Sequence, residues 1–567
     1  MKKIVCIFTL SLMTTICTQA QGFGDTVPHA TLNVNNVSTP VFLFGNLSYD
    51  GNNAMWHFNN RNDKTVYATG LWIGSDSNVA AMLYGSQGFD FFPGPLRITD
   101  GTTDAATVTH FNRVWHITRE MIDYHISHVG DADYQMADEI LTWPGNGDSS
   151  DGFSSQLAPY YDADNNGHYN PMAGDYPLIR GDECIFSIFN DAYGEHLQAK
   201  GLPLGVEIHS MTYAFNEPQD SVMHNAVFVH YDIFNRSTNL YGNTYLGAFV
   251  DYDIGNGYND YIGCDVANGM FYGYDVYSNS DRDLTNRSYT GCVILGGPML
   301  PADGVDNRSI DQDDIIIPGD LYGNMGVNGL GFGDGIVDNE RMGMTNFTSF
   351  ENSMSIIGQP KNPMDYINYM KSVMRNGVHI SYGGQGINGD VPCNFMYPGD
   401  SDPWHWGTDG VENDEWSQIS ADVPPADVRG VSSCGPFNFV SGGHEQLDLV
   451  YVSTETPSVS SLREFSSVAH RQFNRDTTDS GKPFLYRPYS DPLAIEMATG
   501  DIGVTTMDGN ILVRFNGTAN VTVYDMMGRL VASTVTSGGS ASVKVPQTGV
   551  YMVRVGELPA RKVVVMR

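Results

Sequence analysis

Alternation of apolar and polar residues predicts that the chain is mainly β. The runs 206–215 and 225–234 alternate with a period of two, and such a run is expected to form a strand with one buried face. Together with the apolar run 245–250, they are predicted to be successive strands of one antiparallel sheet. Farther along, 436–439 and 447–452 flank a Ser-Gly-Gly turn, which predicts a hairpin.

Helical spacing is rare in the chain. Residues 114–128 carry apolar side chains near the spacing of a helix, and apolar residues recur every three or four positions across 459–473, so both segments are predicted to be helices. The segment 66–74 is predicted to be a strand that enters a turn. The fold class that these patterns predict is mainly β: one or two antiparallel β-sandwich domains with long loops and a few helices.

The end of the chain contains a denser pattern of short strands. Alternating or β-branched runs follow one another between turn residues, at 510–515, 521–525, 542–545, 549–555 and 562–565. Several short strands in so few residues are typical of a sandwich. This segment is therefore predicted to be a small C-terminal Ig-like β-sandwich.

Charge distinguishes the same segment from the rest of the chain. The chain has 65 acidic and 30 basic side chains, whereas from residue 501 onward basic residues outnumber acidic ones by seven to four. A shift of this kind indicates a change of module. The acidic remainder lacks the positive surface that nucleic-acid binding requires, so no nucleic-acid partner is expected.

The first residues have the pattern of a cleaved secretory signal peptide. Lys2 and Lys3 precede the apolar run 4–16, and the small residue Ala20 follows it. The run is shorter than the ~20 residues that cross a bilayer, and we expect no transmembrane segment. The predicted organisation is a signal peptide (1–20), a β-rich region with helices and an acidic loop (21–200), a β-sandwich-rich body (201–485), a linker (486–500) and a C-terminal domain (501–567).

The C-terminal segment resembles the type A C-terminal sorting domain of the type IX secretion system of Bacteroidota. The resemblance lies in the order and spacing of 523–531, 549–555 and 562–565. Its motif residues are Tyr524, Asp525, Gly528, Arg529, Gly549, Tyr551, Val553 and Lys562. The segments 70–74, 166–177, 333–344 and 432–437 also resemble those of large secreted proteins from the same bacteria, a family from which no activity can be carried over.

The resemblance to the sorting domain implies a route and several partners. The signal peptide would direct export to the periplasm, and the type IX machinery would recognise the C-terminal domain and carry the chain across the outer membrane. In that family a surface sortase-like peptidase usually removes the domain and joins the body to anionic lipopolysaccharide, although some proteins are released. The expected location is therefore extracellular, either secreted or on the cell surface.

An acidic loop in the first half of the chain is a candidate calcium site. Oxygen-bearing residues stand at alternate positions with Gly167 at the sixth, which is the pattern of a calcium loop. The candidate ligands are Asp162, Asp164, Asn166, His168 through its carbonyl, Asn170 and Asp175. The twelfth position is Ala173 rather than Glu, so Asp175 could substitute only in a loop of different shape. The alternative is a cluster of Asx turns.

A second acidic segment has a weaker pattern. Asp251, Asp253, Asn259, Asp260 and Asp265 begin within an apolar strand and continue through a Gly-rich stretch. We interpret these residues as turn-forming rather than metal-binding. The five cysteines beyond the signal peptide are widely spaced and contain no CxxC pair, so they form no metal or redox motif.

No catalytic constellation is evident, which favours a non-enzymatic binding or adhesion module. The one pattern suited to a glycan ligand is Trp404 and Trp406 beside Asp402, with Asp409, Asp414 and Trp416 downstream; core packing of these rings is the alternative. A secreted glycan-acting hydrolase with paired carboxylates also remains open. Exposed tryptophans lining a cleft would favour the hydrolase, and their burial would favour the binding protein.

Overall fold

The chain divides into two compact units, Met1–Tyr486 and Arg487–Arg567. The structure is a computed structural model that describes residues 27–50, 54–59, 65–84, 88–275, 288–309, 326–455, 458–479, 503–507, 510–514, 520–525, 529–535, 540–546, 549–556 and 561–565. The predicted signal peptide and the predicted linker lie outside these residues. Within them, no helix is both long and apolar enough to cross a membrane.

Strands dominate the first unit. They are β1 (His29–Leu32), β2 (Val37–Phe42), β3 (His57–Phe58), β4 (Val66–Ser75), β5 (Asn78–Ala81), β6 (Phe92–Pro93), β7 (Trp115–Thr118), β8 (Tyr160–Tyr161), β9 (Tyr176–Pro177), β10 (Glu183–Asn190), β11 (Val206–Ala214), β12 (Ala226–Asn235), β13 (Tyr241–Tyr252), β14 (Tyr261–Asp265), β15 (Met270–Tyr274), β16 (Tyr289–Gly296), β17 (Asn346–Glu351), β18 (Val428–Phe439) and β19 (His444–Thr454).

Helices are few and short, apart from one at the end of this unit. The α-helices are α1 (Ala105–His110), α2 (Arg119–His128), α3 (Asp138–Leu141), α4 (Pro363–Met370) and α5 (Val459–Asp479). Single 3₁₀ turns occur at Ser149–Asp151, Pro171–Ala173, Met223–Asn225 and Trp406–Thr408.

Two antiparallel sheets form the body of the first unit. The larger sheet has the order β14-β15-β16-β19-β12-β11-β10-β6, with β7 also paired to β10, and the smaller sheet has the order β17-β18-β13-β4-β5. Side chains of both sheets, such as Val229 from β12 and Leu246 from β13, belong to one shared core. The first unit is therefore a β-sandwich, and the prediction of a mainly β, antiparallel sandwich protein is confirmed.

Helices cover the outer faces of both sheets. On the larger sheet, Phe186 and Phe228 pack with Leu462 and Phe473 of α5. On the smaller sheet, Trp72 stacks on Phe249 and meets Tyr366 of α4. Because both faces of each sheet are covered, a central strand such as β11 is buried along its whole length, including its polar residues.

Strands from both sides of residue 200 pair with one another. Strand β10 pairs with β11 in the larger sheet, and β4 pairs with β13 in the smaller one. Regions 21–200 and 201–485 thus share one sandwich, and position 200 does not separate two folded bodies.

Two predicted pairings are wrong. Strand β13 does not follow β12 into the same sheet but lies between β18 and β4 in the other one. Likewise, β18 and β19 belong to different sheets, so the turn at 440–443 joins the two layers rather than forming a hairpin. Alternation identifies the buried face of a strand but not its neighbour, and here both sheets bury their inner faces in the same core.

The predicted helix at 114–128 begins as a short strand and continues as a helix. Residues Trp115–Thr118 form β7 along β10, and helix α2 begins at Arg119, where the hydroxyl of Thr118 accepts a hydrogen bond from the N–H of Met121. This is the side-chain cap that a threonine supplies. The predicted strand 66–74 and the predicted helix 459–473 correspond to β4 and α5.

The second unit is a small sandwich of its own. Its strands are β20 (Gly503–Met507), β21 (Asn510–Arg514), β22 (Asn520–Asp525), β23 (Leu530–Val535), β24 (Ser540–Lys544), β25 (Gly549–Val555) and β26 (Arg561–Val565). In its described residues they form two antiparallel sheets, β20-β21-β24 and β23-β22-β25-β26. Valines such as Val523 and Val543 from the two sheets share one core.

Candidate functional site

A tyrosine-lined pocket of about 340 Å³ lies at one end of the central strands of the smaller sheet. Adjacent strands supply its polar floor, because Asp251 of β13 stands directly opposite Arg429 of β18 in the ladder. The tyrosines that line this pocket are Tyr49, Tyr67, Tyr84, Tyr252 and Tyr258. Its polar lining residues are Asp251, Asp253, Asn352, Gln359, Asp427 and Arg429.

Arg429 organises the floor of the pocket. Its Nε donates to the hydroxyl oxygen of Tyr84 at 2.5 Å, and its guanidinium pairs with Asp251 at 3.2 Å and with Asp427 at 2.7 Å. The Tyr84 hydroxyl in turn donates to Asp251 Oδ2 at 2.7 Å. Asp251 is 2% exposed and Arg429 5%, so this network is fixed in place by the sandwich beneath it.

Burial controls the protonation of the floor. It raises the pKa of Asp251 to about 7, even though the neighbouring Arg429 acts to lower it. Burial likewise raises the pKa of Tyr84, which keeps its hydroxyl protonated as a donor to Asp251. The pocket floor therefore combines a carboxyl group of raised pKa with a protonated phenol.

The pocket wall is a group of mutually packed rings. Tyr49 lies 5.1 Å from Tyr67 and 5.9 Å from Tyr84, measured between ring centroids. Tyrosine rings offer a flat apolar face with a polar end. A concave surface with such rings and a few convergent polar groups has the usual composition of a small-ligand site.

The acidic loop brings together three of its predicted ligands. Carboxylate oxygens of Asp162, Asp164 and Asp175 lie within 4.8 Å of one another. Asp175 is fully buried and lies near Asp162 and Asp164, after the 3₁₀ turn at Pro171–Ala173.

The same carboxylates also serve the backbone of the loop. Asp162 accepts hydrogen bonds from the N–H groups of Asn166 and Gly167, and those bonds lower its pKa. Asp175 accepts from the N–H groups of Ala163 and Asn170. The loop therefore has the Asx turns that were the alternative to calcium, and each carboxylate retains further lone pairs.

The other three predicted ligands have local roles in the loop. The side-chain oxygen of Asn166 accepts from the N–H of His168, and that of Asn170 accepts from the N–H of Met172. His168 is exposed.

The tryptophan segment belongs to the core rather than to a cleft. Trp406 and Trp416 are each 2% exposed, and Trp404 stacks on Trp406 at 4.4 Å. The carboxylate of Asp402 accepts hydrogen bonds from the N–H groups of Trp406 and Gly407. Burial of Trp406 and Trp416 agrees with core packing, which was the alternative to a ligand site, while Trp404 is half-buried. The tyrosine pocket offers an aromatic surface elsewhere.

A second pocket of about 250 Å³ lies on the larger sheet and contains buried histidines. His230 Nδ1 lies 2.7 Å from Asp448, which also pairs with Arg341 at 2.7 Å. Burial raises the pKa of Asp448, but His230 and Arg341 lower it further, so that the carboxylate stays ionised. The described residues that line this pocket include no serine, threonine or cysteine to act as a nucleophile.

The sorting-domain motif residues occupy defined positions in the second unit. Tyr551 and Val553 of β25 point into its core, and Gly549 begins that strand. Tyr524 and Asp525 end β22, and Lys562 pairs with Met552 through the backbone of β26. Arg529 is exposed, and Gly528 lies outside the described residues.

Comparison with known proteins gives no relative. No family model matches the chain, and no curated protein matches it.

Proposed function

We propose that this chain is an exported binding protein whose tyrosine-lined pocket holds a glycan at or outside the cell surface. One observation carries the proposal: a concave group of tyrosine rings stands over a preformed network of Arg429, Asp251 and Asp427. A sugar ring has apolar faces and hydroxyl edges, so it suits a site with aromatic walls and fixed polar groups.

The network supports binding more than turnover. A glycosidase needs one carboxyl group as an acid and a second as a base or nucleophile. Asp251 and Asp427 are both held by the guanidinium of Arg429, which suits them to orient a ligand. The pKa of Asp251, about 7, is the feature that favours the alternative of a glycan-acting hydrolase, because a general acid needs a pKa near neutrality.

Glycan-array screening followed by calorimetry with the best oligosaccharide tests the proposal. Replacing the wall residue in Tyr67→Ala should weaken binding roughly 2- to 10-fold, the range of one aromatic contact. The matched control is Tyr124→Ala, which removes an exposed tyrosine of α2 outside the pocket. Equal loss in both variants, or no ligand on the array, would refute a glycan site in this pocket.

The same oligosaccharide separates binding from hydrolysis. Incubation with the protein should leave the oligosaccharide intact. Release of new reducing ends that Asp251→Asn abolishes would assign the chain to the hydrolases instead.

Delivery by the type IX secretion system is proposed from the C-terminal unit. Its motif residues and its separation from the body as a compact sandwich support this role. A reporter that carries a signal peptide and residues 495–567 should reach the surface or medium of a competent host, while the same fusion ending before residue 561, and so lacking β26, should not. Periplasmic retention of the complete fusion would contradict the assignment. If the fusion reaches the surface, the sortase-like peptidase and anionic lipopolysaccharide are the partners expected there.

The acidic loop is proposed to bind calcium through Asp162, Asp164 and Asp175. Their mutual proximity supports this role. The double variant Asp162→Asn/Asp164→Asn should reduce the rise in melting temperature that millimolar calcium gives. An unchanged rise would exclude the loop as a contributor.

A further inference from the structure

The second pocket, on the outer face of the larger sheet, takes its polar wall from neighbouring strands. Asp232 of β12 stands opposite His209 of β11 and Gln446 of β19 in the ladder. His230 lies two residues before Asp232 and therefore on the same face. The apolar part of the wall consists of Leu157, Pro159, Phe186, Met211 and Phe234.

Arg180 lies in this wall as a buried cation without a carboxylate partner. It is 4% exposed, its Nη1 has no hydrogen-bond partner, and its Nη2 lies 3.2 Å from His230 Nε2. None of the ion pairs among the described residues includes Arg180, whereas the buried Arg341 and Arg429 each pair with a carboxylate. Burial raises the pKa of Tyr213 and the nearby Arg180 acts to lower it, but a neutral phenol does not balance the charge of a guanidinium.

His230 cannot satisfy Arg180 and Asp232 at the same time. One ring nitrogen, Nε2, lies 3.1 Å from Asp232 Oδ2 and 3.2 Å from Arg180 Nη2. A neutral Nε2 accepts from Arg180 and turns a lone pair to the carboxylate, whereas a protonated Nε2 donates to Asp232 and turns its N–H to the guanidinium. Burial and Arg180 lower the pKa of His230, but Asp448 and Asp232 raise it above its ordinary value, which favours the protonated ring. Arg180 is then left without an acceptor at Nη2 as well.

The groups around His230 carry one more positive than negative charge when its ring is protonated. They are the cations Arg180, His230 and Arg341 and the carboxylates Asp232 and Asp448. The neighbouring Glu207 does not offset this surplus, because it is paired with Arg236 at 2.7 Å. A buried charge without a counter-charge is costly, so the wall is suited to an anion although the chain as a whole has a formal net charge of −35.

The guanidinium stands where a ligand in the pocket can meet it. Arg180 and His230 both line the pocket, and Asp232, which contacts the same ring nitrogen, has 29% of its side chain accessible. His444, in the same wall, is 42% accessible and stacks on Phe234 at 4.5 Å between ring centroids. The pocket therefore combines an aromatic surface that solvent reaches with a cation beside it.

We propose that this pocket binds a small monocarboxylate and that the guanidinium of Arg180 holds the carboxylate group. Two terminal nitrogens of one guanidinium match the two oxygens of a carboxylate in a planar, charge-assisted pair. A carboxylate brings the single negative charge that balances the surplus, whereas a phosphate dianion would be repelled by Asp232. The described residues that line this pocket all differ from those of the tyrosine pocket, so the two sites are independent.

Isothermal titration calorimetry on the full chain without its signal peptide tests the site with acids and their neutral amides. The pairs are acetate with acetamide, benzoate with benzamide and glucuronate with glucuronamide, and inorganic phosphate is a separate arm. At least one acid should bind about tenfold more tightly than its amide. Arg180→Gln should abolish this preference, with circular dichroism to check the fold. The matched control, Arg113→Gln, removes a guanidinium that pairs with Asp138 outside the pocket and should keep the preference.

Arg180→Lys serves if Arg180→Gln does not fold. It keeps the buried positive charge but lacks the planar pair of donors, so the preferred acid should bind about threefold more weakly or worse. Equal binding of acid and amide by the wild type across the panel would overturn the proposal. So would a preference that persists in folded Arg180→Gln, wild-type affinity in Arg180→Lys, or an equal loss in Arg113→Gln. Tighter binding of phosphate than of every acid would overturn the choice of a carboxylate.

Discussion

The Arg429 network offers the most direct test of how the pocket floor is held. Replacing the guanidinium with an apolar chain of similar length, in Arg429→Met, removes the cation from a carboxylate that is 2% exposed. It also removes the donor to Tyr84 at 2.5 Å and the contact with Asp427 at 2.7 Å. Breaking a buried pair by removing one partner costs about 3–5 kcal/mol when the charge left behind stays ionised. Because the pKa of Asp251 is about 7, protonation can relieve this loss at neutral pH. A loss of about 3 kcal/mol in the free energy of unfolding is therefore expected when it is measured at about pH 9.

The double variant Arg429→Met/Asp251→Asn shows the cause of that loss. With the carboxylate replaced by an amide, no buried charge is left unpaired at that position, and the Tyr84 hydroxyl still has an oxygen to which it can donate. Asp427 remains partly exposed, with 23% of its side chain accessible, and water can solvate it. The double variant should therefore be more stable than Arg429→Met alone, with a coupling of about 1–3 kcal/mol.

Urea denaturation followed by tryptophan fluorescence measures these differences in the first unit alone. All seven tryptophans lie between residues 56 and 416, so unfolding of the second unit does not contribute to the signal. A loss below about 1 kcal/mol for Arg429→Met would refute the reasoning. Additive losses in the double variant would refute it too, because they would mean that Asp251 and Arg429 do not interact.

Three further predictions concern the body of the sandwich. Burial raises the pKa of Glu207, but His209 and Arg236 lower it to about 2. The stabilisation from the ionised carboxylate is therefore present above pH ~4.5 and lost as the pH falls towards 2. In urea titrations, Glu207→Gln should cost about 3 kcal/mol at pH 7 and much less at pH 3. Trp72→Ala should cost about 3–5 kcal/mol by the same assay, whereas an unchanged midpoint would contradict its packing on Phe249. Thiol titration at pH 8 should detect no reactive thiol in the folded body and five after denaturation. The reason is that burial raises the pKa of every free cysteine in the body. These cysteines are Cys184, Cys264, Cys292, Cys393 and Cys434.

The sequence predicts the strands better than their partners. Alternation locates β11 and β12 because their apolar side chains are concentrated on one face, although both faces are buried, and helical spacing locates the start of α5. It places β13 in the wrong sheet, since the choice of neighbour depends on contacts with β4 and β18, which lie more than 150 residues away along the chain. Local periodicity carries no information about those contacts.

The pocket has even less of a local signal. Tyr49, Tyr67 and Tyr84 lie at least 345 residues before Arg429 along the chain. Pairing of β13 with both β4 and β18 brings these residues together in the pocket. The clustering of carboxylates in the acidic loop, by contrast, was predictable because Asp162 and Asp164 are close neighbours along the chain. The approach of Asp175 depends on a turn that the sequence alone does not specify.

The many aspartates of the chain have a structural role that composition alone does not reveal. An acidic composition is usually a matter of solubility, but Asp90, Asp175 and Asp191 are fully buried, and each accepts hydrogen bonds from N–H groups of irregular backbone. Long loops have few ladder partners for these donors, and a short carboxylate supplies one. A buried aspartate is thus normally explained by the N–H groups that it satisfies. Asp260 satisfies one such group and still has a buried oxygen without a hydrogen-bond partner, so backbone support alone does not account for its position.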